Sequence, residues 1–185
     1  MNKIILFNML SLDGYFEGSN KEIDWHNVDA EFNDFAIEQL NNASMLIFGR
    51  ITYELMANYW PADSALRDDL IVAQKMDSIP KIVFSKTLLK ANWNNTRLIK
   101  EISESEVKRL KQQSDKDIFI FGSANLASTF INLNLIDEYQ FIINPIVLGQ
   151  GNSLFKPMTK RLKLKLQQAK VFKSGNVLLY YDSIR

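Results

Sequence analysis

The sequence predicts an α/β fold of three layers, with a mostly parallel central sheet and antiparallel strands at the C-terminal end. Three observations predict it. Short apolar blocks alternate with helical patterns as far as Asn132, the signature of a sheet covered on both faces. Two of those blocks run through a glycine directly into a helix, at Gly49 and Gly122. The chain then closes on two strand-like runs, 162–172 and 177–182, with Ser174-Gly175-Asn176 between them, a good hairpin signal.

Each element follows from its residues. Residues 3–10 are apolar except for Asn8 and read as a buried central strand. Residues 11–25, with Gly14 and Gly18 among polar neighbours, read as a long loop of the kind that forms lids and binding loops. In 29–43, Phe32, Phe35, Ala36, Leu40 and Ala43 share one helical stripe and Asp29 sits where a cap belongs. Residues 45–48 form a second strand, running through Gly49-Arg50 into a helix over 52–59 that stops at Pro61. One helix is expected over 65–75, strands over 81–84 and 97–100, and a helix over 103–113 opened by a Ser103/Glu106 capping box. In 117–132 the run Ile118, Phe119, Ile120, Phe121 turns at Gly122-Ser123 into a helix with Leu126, Phe130 and Ile131 on one face. Residues 137–144 give a strand ended by Pro145, followed by a loop at Gly149-Gln150-Gly151. No repeat, linker or low-complexity segment divides the chain, so residues 1–185 read as one domain.

Composition narrows the function. There are 22 basic and 21 acidic residues and a net charge of +1, which gives no bulk attraction to nucleic acid or membrane. Seven basic residues without an acidic one lie in 156–173, interleaved with apolar residues as on an exposed strand face. The absence of cysteine excludes disulfides and thiolate chemistry, and one histidine, His26, excludes a multi-histidine metal site. No metal is therefore expected. No stretch is long and apolar enough to span a bilayer, and the N-terminus lacks the pattern of a signal peptide. The default expectation is a cytoplasmic protein.

Ligands of open α/β sheets bind at the carboxyl ends of the strands. Three such ends carry suggestive residues: Gly49-Arg50-Ile51-Thr52, Ser85-Lys86-Thr87 and Gly122-Ser123-Ala124-Asn125. Two of them open helices, whose first N–H groups and positive dipole end suit a phosphate. Two carry a cation. The layout suits an extended, phosphorylated ligand, although the Rossmann and Walker fingerprints are both absent.

SLDG, IFGRITYE, FSKT, IFIFGSANL and PIVLGQGNSLF stand in an order that resembles the dihydrofolate reductase fold. They are most similar to the branch containing the C-terminal reductase domain of the bifunctional riboflavin-synthesis enzyme, and the resemblance covers nearly the whole chain. It implies NADPH as cofactor. Gly49, Arg50 and Thr52 would hold phosphate, Ser85 and Lys86 would meet the 2′-phosphate side, and Gly122, Ser123, Ala124, Asn125 and Leu126 would cradle the pyrophosphate and nicotinamide end. It also implies a proton donor early in the first helix, either Asp29 or Glu31, and substrate contacts from Asp13, Tyr15, Trp25 and Tyr53. His26 reads as a surface residue beside Trp25. Where dihydrofolate reductases carry two glycines joined by a cis peptide, this sequence has Gly122-Ser123. A cis bond before serine costs about 3 kcal/mol, and either isomer is open there. The resemblance further implies a small-molecule substrate and a homodimer, with residues 162–166 pairing across a two-fold axis. The implied activity is reduction of a pterin-like or aminopyrimidine-like heterocycle. The alternative is a nucleotide- or partner-binding module on the same fold without turnover.

Overall fold

A computed structural model describes residues 2–158 and 161–184. The opening apolar block forms β1 (Ile4–Ser11), and a short β2 (Tyr15–Glu17) follows within the expected loop. Next come α1 (Ala30–Asn41), β3 (Ala43–Gly49), α2 (Arg50–Tyr59), α3 (Asp63–Asp68), α4 (Leu70–Ser78), β4 (Lys81–Phe84) and β5 (Thr96–Ile99). The second half holds α5 (Glu104–Gln113), β6 (Asp117–Phe121), α6 (Ala124–Asn132), β7 (Glu138–Asn144), β8 (Asn152–Ser153), β9 (Leu164–Val171) and β10 (Val177–Ser183).

Eight strands make one sheet in the order β5-β4-β3-β6-β1-β7-β10-β9. All pairings from β5 to β7 are parallel, whereas β10 runs antiparallel to both β7 and β9. The side-chain period of two sends alternate residues of the inner strands to opposite faces. Ile4, Leu6, Ile118 and Ile120 pack with Leu110 of α5 and Ala127 and Phe130 of α6. Ile5, Phe119 and Phe121 pack with Leu40 of α1, Tyr53 of α2 and Met76 of α4. Each large apolar side chain so buried contributes about 1.5–3 kcal/mol, and these two cores fix which face each helix covers.

Three local expectations need correction. The single helix over 65–75 is two helices, because Asp69 leaves helical geometry (φ −151°, ψ 86°) and its carboxylate caps α4 through the Val72 N–H at 3.0 Å. The long loop after β1 is interrupted by β2, which pairs with β8 and so joins the loop to 152–153. The capping box of α5 is half made. Ser103 accepts from the Glu106 N–H, but the Glu106 carboxylate turns to Arg109 and Arg97.

Lys81, the first residue of β4, is 1% exposed. Its Nζ donates to the carbonyls of Met76, Asp77 and Ile79, each at 2.8 Å, and lies 4.4 Å from the Trp93 ring centre. It closes the C-terminal end of α4, where backbone carbonyls lack partners and favour a cation.

Neighbouring strands β3 and β6 are followed by helices that leave to opposite faces: α2 joins the core of one face and α6 that of the other. That divergence opens a crevice at the strand tips, the topological switch point of an open α/β sheet.

Candidate functional site

The crevice is built from two turns in contact. Gly49 ends β3 with extended backbone and caps α2, while Gly122 (φ 59°) and Ser123 (φ 65°, ψ 61°) are both left-handed and lead into α6. No cis peptide occurs among the described residues, so the Gly122-Ser123 bond is trans. A Cβ on Gly122 would lie 3.0 Å from Thr52 Oγ1, and one on Gly49 would lie 3.2 Å from Ser123 Oγ. Glycine at these two positions lets the turns touch. Ser123 Oγ accepts from the Gly49 N–H at 2.9 Å and donates to Thr52 Oγ1 at 2.8 Å.

Beside this contact lies a cavity of about 500 Å³, lined by Gly49, Arg50, Ser85, Lys86, Lys100 and Asn125 among others. Each of the three strand tips singled out in the sequence lends residues to that lining, Gly49 and Arg50, Ser85 and Lys86, and Asn125, whereas Thr52, Gly122 and Ser123 do not line it. Arg50 forms an ion pair with Glu54, Nη1 to Oε2 at 2.9 Å, with both side chains more than two-fifths exposed. Such a pair holds the arginine weakly, by under about 1 kcal/mol. Ser85 Oγ accepts from the N–H groups of Thr87 and Leu88 and shapes the loop after β4. Lys100 was missed as a site residue because it was read as the end of a strand. The signal was its place directly after a parallel strand, and its Nζ now donates to the Leu88 carbonyl at the cavity edge. Arg50, Lys86 and Lys100 make three cations around one cavity, with Glu101 the one acid in its lining. Ala124 and Leu126 are mostly buried in the core, so what they offer a ligand is chiefly backbone at the start of α6.

The other predicted residues divide. Asp29 caps α1, one oxygen accepting from the Phe32 N–H at 2.8 Å. It stands at the strand-tip edge, since Asn27 donates to Asn144 at the end of β7. Glu31 is drawn to the β9–β10 hairpin, accepting from the Lys173 N–H at 2.9 Å with Lys170 Nζ at 4.0 Å. Asp13 accepts from Ser11 Oγ and from the N–H groups of Leu148 and Gly149. The Ser11 hydroxyl first, then those N–H groups, hold its carboxyl below the usual range. It ties the loop after β1 to the loop after β7. Tyr15 is half-buried on β2, opposite Ser153, and Trp25 Nε1 donates to the Glu22 carbonyl. Tyr53 corrects the expectation of a substrate contact. It is 4% exposed, packs against Trp93, and its hydroxyl accepts from the Trp93 N–H at 2.9 Å, so it belongs to the core beneath α2.

His26 is half-buried, where a surface residue was expected. Its ring meets Trp25 edge-on at 4.5 Å, and its Nε2 is shielded from solvent without a partner. Burial pushes its pKa down to about 4, against a smaller upward effect of a hydrogen bond to the Phe16 backbone. Asn8 is 4% exposed with Nδ2 unpartnered. It follows the Phe7–Phe121 register pair, which places it level with Gly122 at the crevice. The donor set thus fits a phosphorylated dinucleotide in three respects. It has cations at one end, paired helix starts pressed together through glycines in the middle, and an unpaired buried amide at the far side.

Among the described residues no helix is long and apolar enough to cross a membrane, and no group of acidic or histidine side chains could hold a metal. The RibD C-terminal domain family model matches residues 2–180. The uncharacterised Bacillus subtilis protein YyaP is 36% identical over 181 residues, covering 97% of this chain and 94% of its own. A Shewanella sp. PV-4 protein provisionally assigned to riboflavin biosynthesis superposes with a TM-score of 0.77 at 23% identity, covering 99% of both chains. Enterococcus faecalis dihydrofolate reductase, solved with NADP(H), superposes with a TM-score of 0.65 at 14% identity, covering 99% of this chain and 97% of its own. The dihydrofolate reductase-like fold with its parallel sheet and antiparallel C-terminal strands is therefore established.

Proposed function

The chain belongs to the RibD C-terminal domain family, and from that premise we propose that it is an NADPH-dependent reductase acting on a pterin-like or aminopyrimidine-like heterocycle. The observation that carries this reading is the convergence of Arg50, Lys86 and Lys100 on one cavity at the switch point, with Gly49 at the start of α2 and Asn125 in the first turn of α6 in its lining. Lys86, Lys100 and Ser85 hold the 2′-phosphate end. Arg50, Thr52 and the first N–H groups of α6 hold the bridging phosphates. Charge-assisted hydrogen bonds of this kind contribute about 1.5–3 kcal/mol each. The bound dinucleotide supplies hydride. The chain's own tasks are to orient the ring beside Asn8, to cover it with the segment from Asp13 to Trp25, and to hold a proton source near the strand tips.

For that source we favour Asp29 over Glu31. Asp29 keeps one carboxylate oxygen outside its cap, whereas Glu31 is committed to the hairpin. The same observation lends weight to a second reading, a nucleotide-binding module without turnover, because both acids already serve the fold. Titration calorimetry with NADPH tests the binding half. NADPH oxidation in the presence of dihydrofolate or a ribosylated aminouracil tests the reaction. Heat on binding but no oxidation with either class would select the module, and no heat at all would refute both. The cytoplasm as its compartment and a homodimer through the exposed edge strand β9 belong to this reading as well. Sedimentation velocity that finds only monomer would remove the dimer.

A further inference from the structure

The contact between the two turns has a polarity. Ser123 Oγ receives a hydrogen from Gly49 N–H and gives its own to Thr52 Oγ1. Among the described residues no acceptor takes the Thr52 hydroxyl hydrogen. Thr52 lies in the first turn of α2 and is half-buried. The Gly49 N–H, which a Glu or Gln at the position of Thr52 would accept in a capping box, goes to Ser123 instead. A chain of hydrogen bonds runs from the Gly49 amide through the two hydroxyls, beside the cavity that Gly49 lines, and each member polarises the next.

Ser123 holds this place at a conformational expense. A serine at φ 65° is uncommon and carries a penalty that glycine would not. The glycines on either side of the contact are the ones where a Cβ would press on Ser123 or Thr52. Backbone and side chains are thus fitted around a single hydroxyl.

We propose that Ser123 is a positioning residue: its hydroxyl fixes the spacing of the α2 and α6 helix starts and turns Thr52 into an obligatory donor toward the bridging phosphates of a dinucleotide. This rests on the NADPH reading above and deepens it. Phosphate oxygens only accept, so a site whose donors are all oriented outward prefers them to ligands that carry donors of their own. The Gly49 N–H, by contrast, is withdrawn from the ligand, because Ser123 already takes it.

The test is a double-mutant cycle of Ser123→Ala and Thr52→Val, with Thr52→Ser as the conservative variant. Affinity is measured for NADPH and for adenosine 2′-monophosphate, which carries only the distal phosphate, and each variant's urea midpoint is measured alongside. Each single variant is expected to bind NADPH about tenfold more weakly. The double variant should be no weaker than either, because the two changes break one chain. Adenosine 2′-monophosphate should bind all of them within about twofold of wild type, and Thr52→Ser should restore NADPH affinity. Additive losses, unchanged NADPH affinity in Ser123→Ala, or equal losses for both ligands would overturn the proposal while leaving wild-type cofactor binding intact. A wild-type protein that binds no NADPH would instead overturn the reading on which it rests.

Discussion

Acid should weaken this protein through His26 in a way that can be isolated. Replacing His26 by Gln removes the titrating ring and keeps a polar side chain. The imidazole of the folded chain takes a proton only near pH 4, because burial beside Trp25 disfavours the charged form. In the unfolded chain it takes one near 6.5. Between those values the unfolded state binds more protons, so folding stability falls as pH drops from 6.5 toward 4 and levels off below. At about 1.4 kcal/mol per decade of proton affinity, the full effect is about 3 kcal/mol. Other groups, such as the Asp13 and Glu106 carboxylates held low by their partners, also lose stabilising contacts in acid. They are common to both proteins and cancel in a difference. Urea unfolding at intervals from pH 7 to pH 4 should therefore show the wild-type advantage over His26→Gln shrinking by about 3 kcal/mol. A difference that stays constant across that range would refute the claim that the ring is held neutral. On the proposed reading the effect would reach the site, since His26 lies in sequence between the segment proposed to cover the ligand and the Asp29 cap. Acid that charges it should loosen both.

Other expectations are simpler to check. Lys86→Ala and Lys100→Ala should each weaken NADPH binding by about tenfold and NADH binding far less, as calorimetry will read; equal losses for the two cofactors would show that these cations do not meet the 2′-phosphate. Asp29→Asn should fold as well as wild type, because asparagine caps as well as aspartate, yet lose the chemical step, whereas Glu31→Gln should keep it; a fully active Asp29→Asn would remove the proton donor assigned here. Tyr53→Phe should lower stability by about 1 kcal/mol in urea through the lost Trp93 bond and leave cofactor affinity alone; a change in affinity without a change in stability would put Tyr53 back in the site. Lys81→Met should destabilise by about 3 kcal/mol, since three carbonyls at the end of α4 lose one shared donor, and an unfolding midpoint equal to wild type would show that water serves them as well.

What the residues disclosed beforehand depended on whether a property was local. The strand–glycine–helix units at Gly49 and Gly122 announced themselves, because an apolar block, a glycine and a helical stripe are all written within about fifteen residues. The parallel sheet followed from their alternation with helices. The break at Asp69 did not, since Leu66, Leu70 and Ile71 continue the apolar pattern across it and only the cap geometry separates α3 from α4. Tyr53 deceived for a related reason, and the burial of Lys81 left no local sign. A tyrosine beside a binding turn and a lysine opening a strand look solvent-facing until Trp93, forty and twelve residues on, closes over them. Lys100 and Asn8 were visible as residue types but not as site members, because their roles come from strand register, which pairs distant segments.

The same distinction explains why the two halves of the candidate site differ in how well they can be assigned. The proposed phosphate site is framed by helix starts, glycine contacts and a hydroxyl between them, with Arg50, Lys86 and Lys100 around it. Such features depend on turn chemistry that sequence displays directly. Proton delivery depends on one carboxylate, and a carboxylate at a helix start has a second use that stabilises the helix by about 1 kcal/mol whether or not it ever meets a substrate. Asp29 performs that second use in full view, with Phe32 as its partner. Its remaining oxygen decides the matter, and stability cannot report on that oxygen because asparagine preserves the cap. Only three measurements together do: an Asp29→Asn protein with an unchanged unfolding midpoint, undiminished NADPH affinity and no turnover would separate the acid from the cap. The same protein with unchanged turnover would leave Asp29 as a cap alone, with the proton taken from another source.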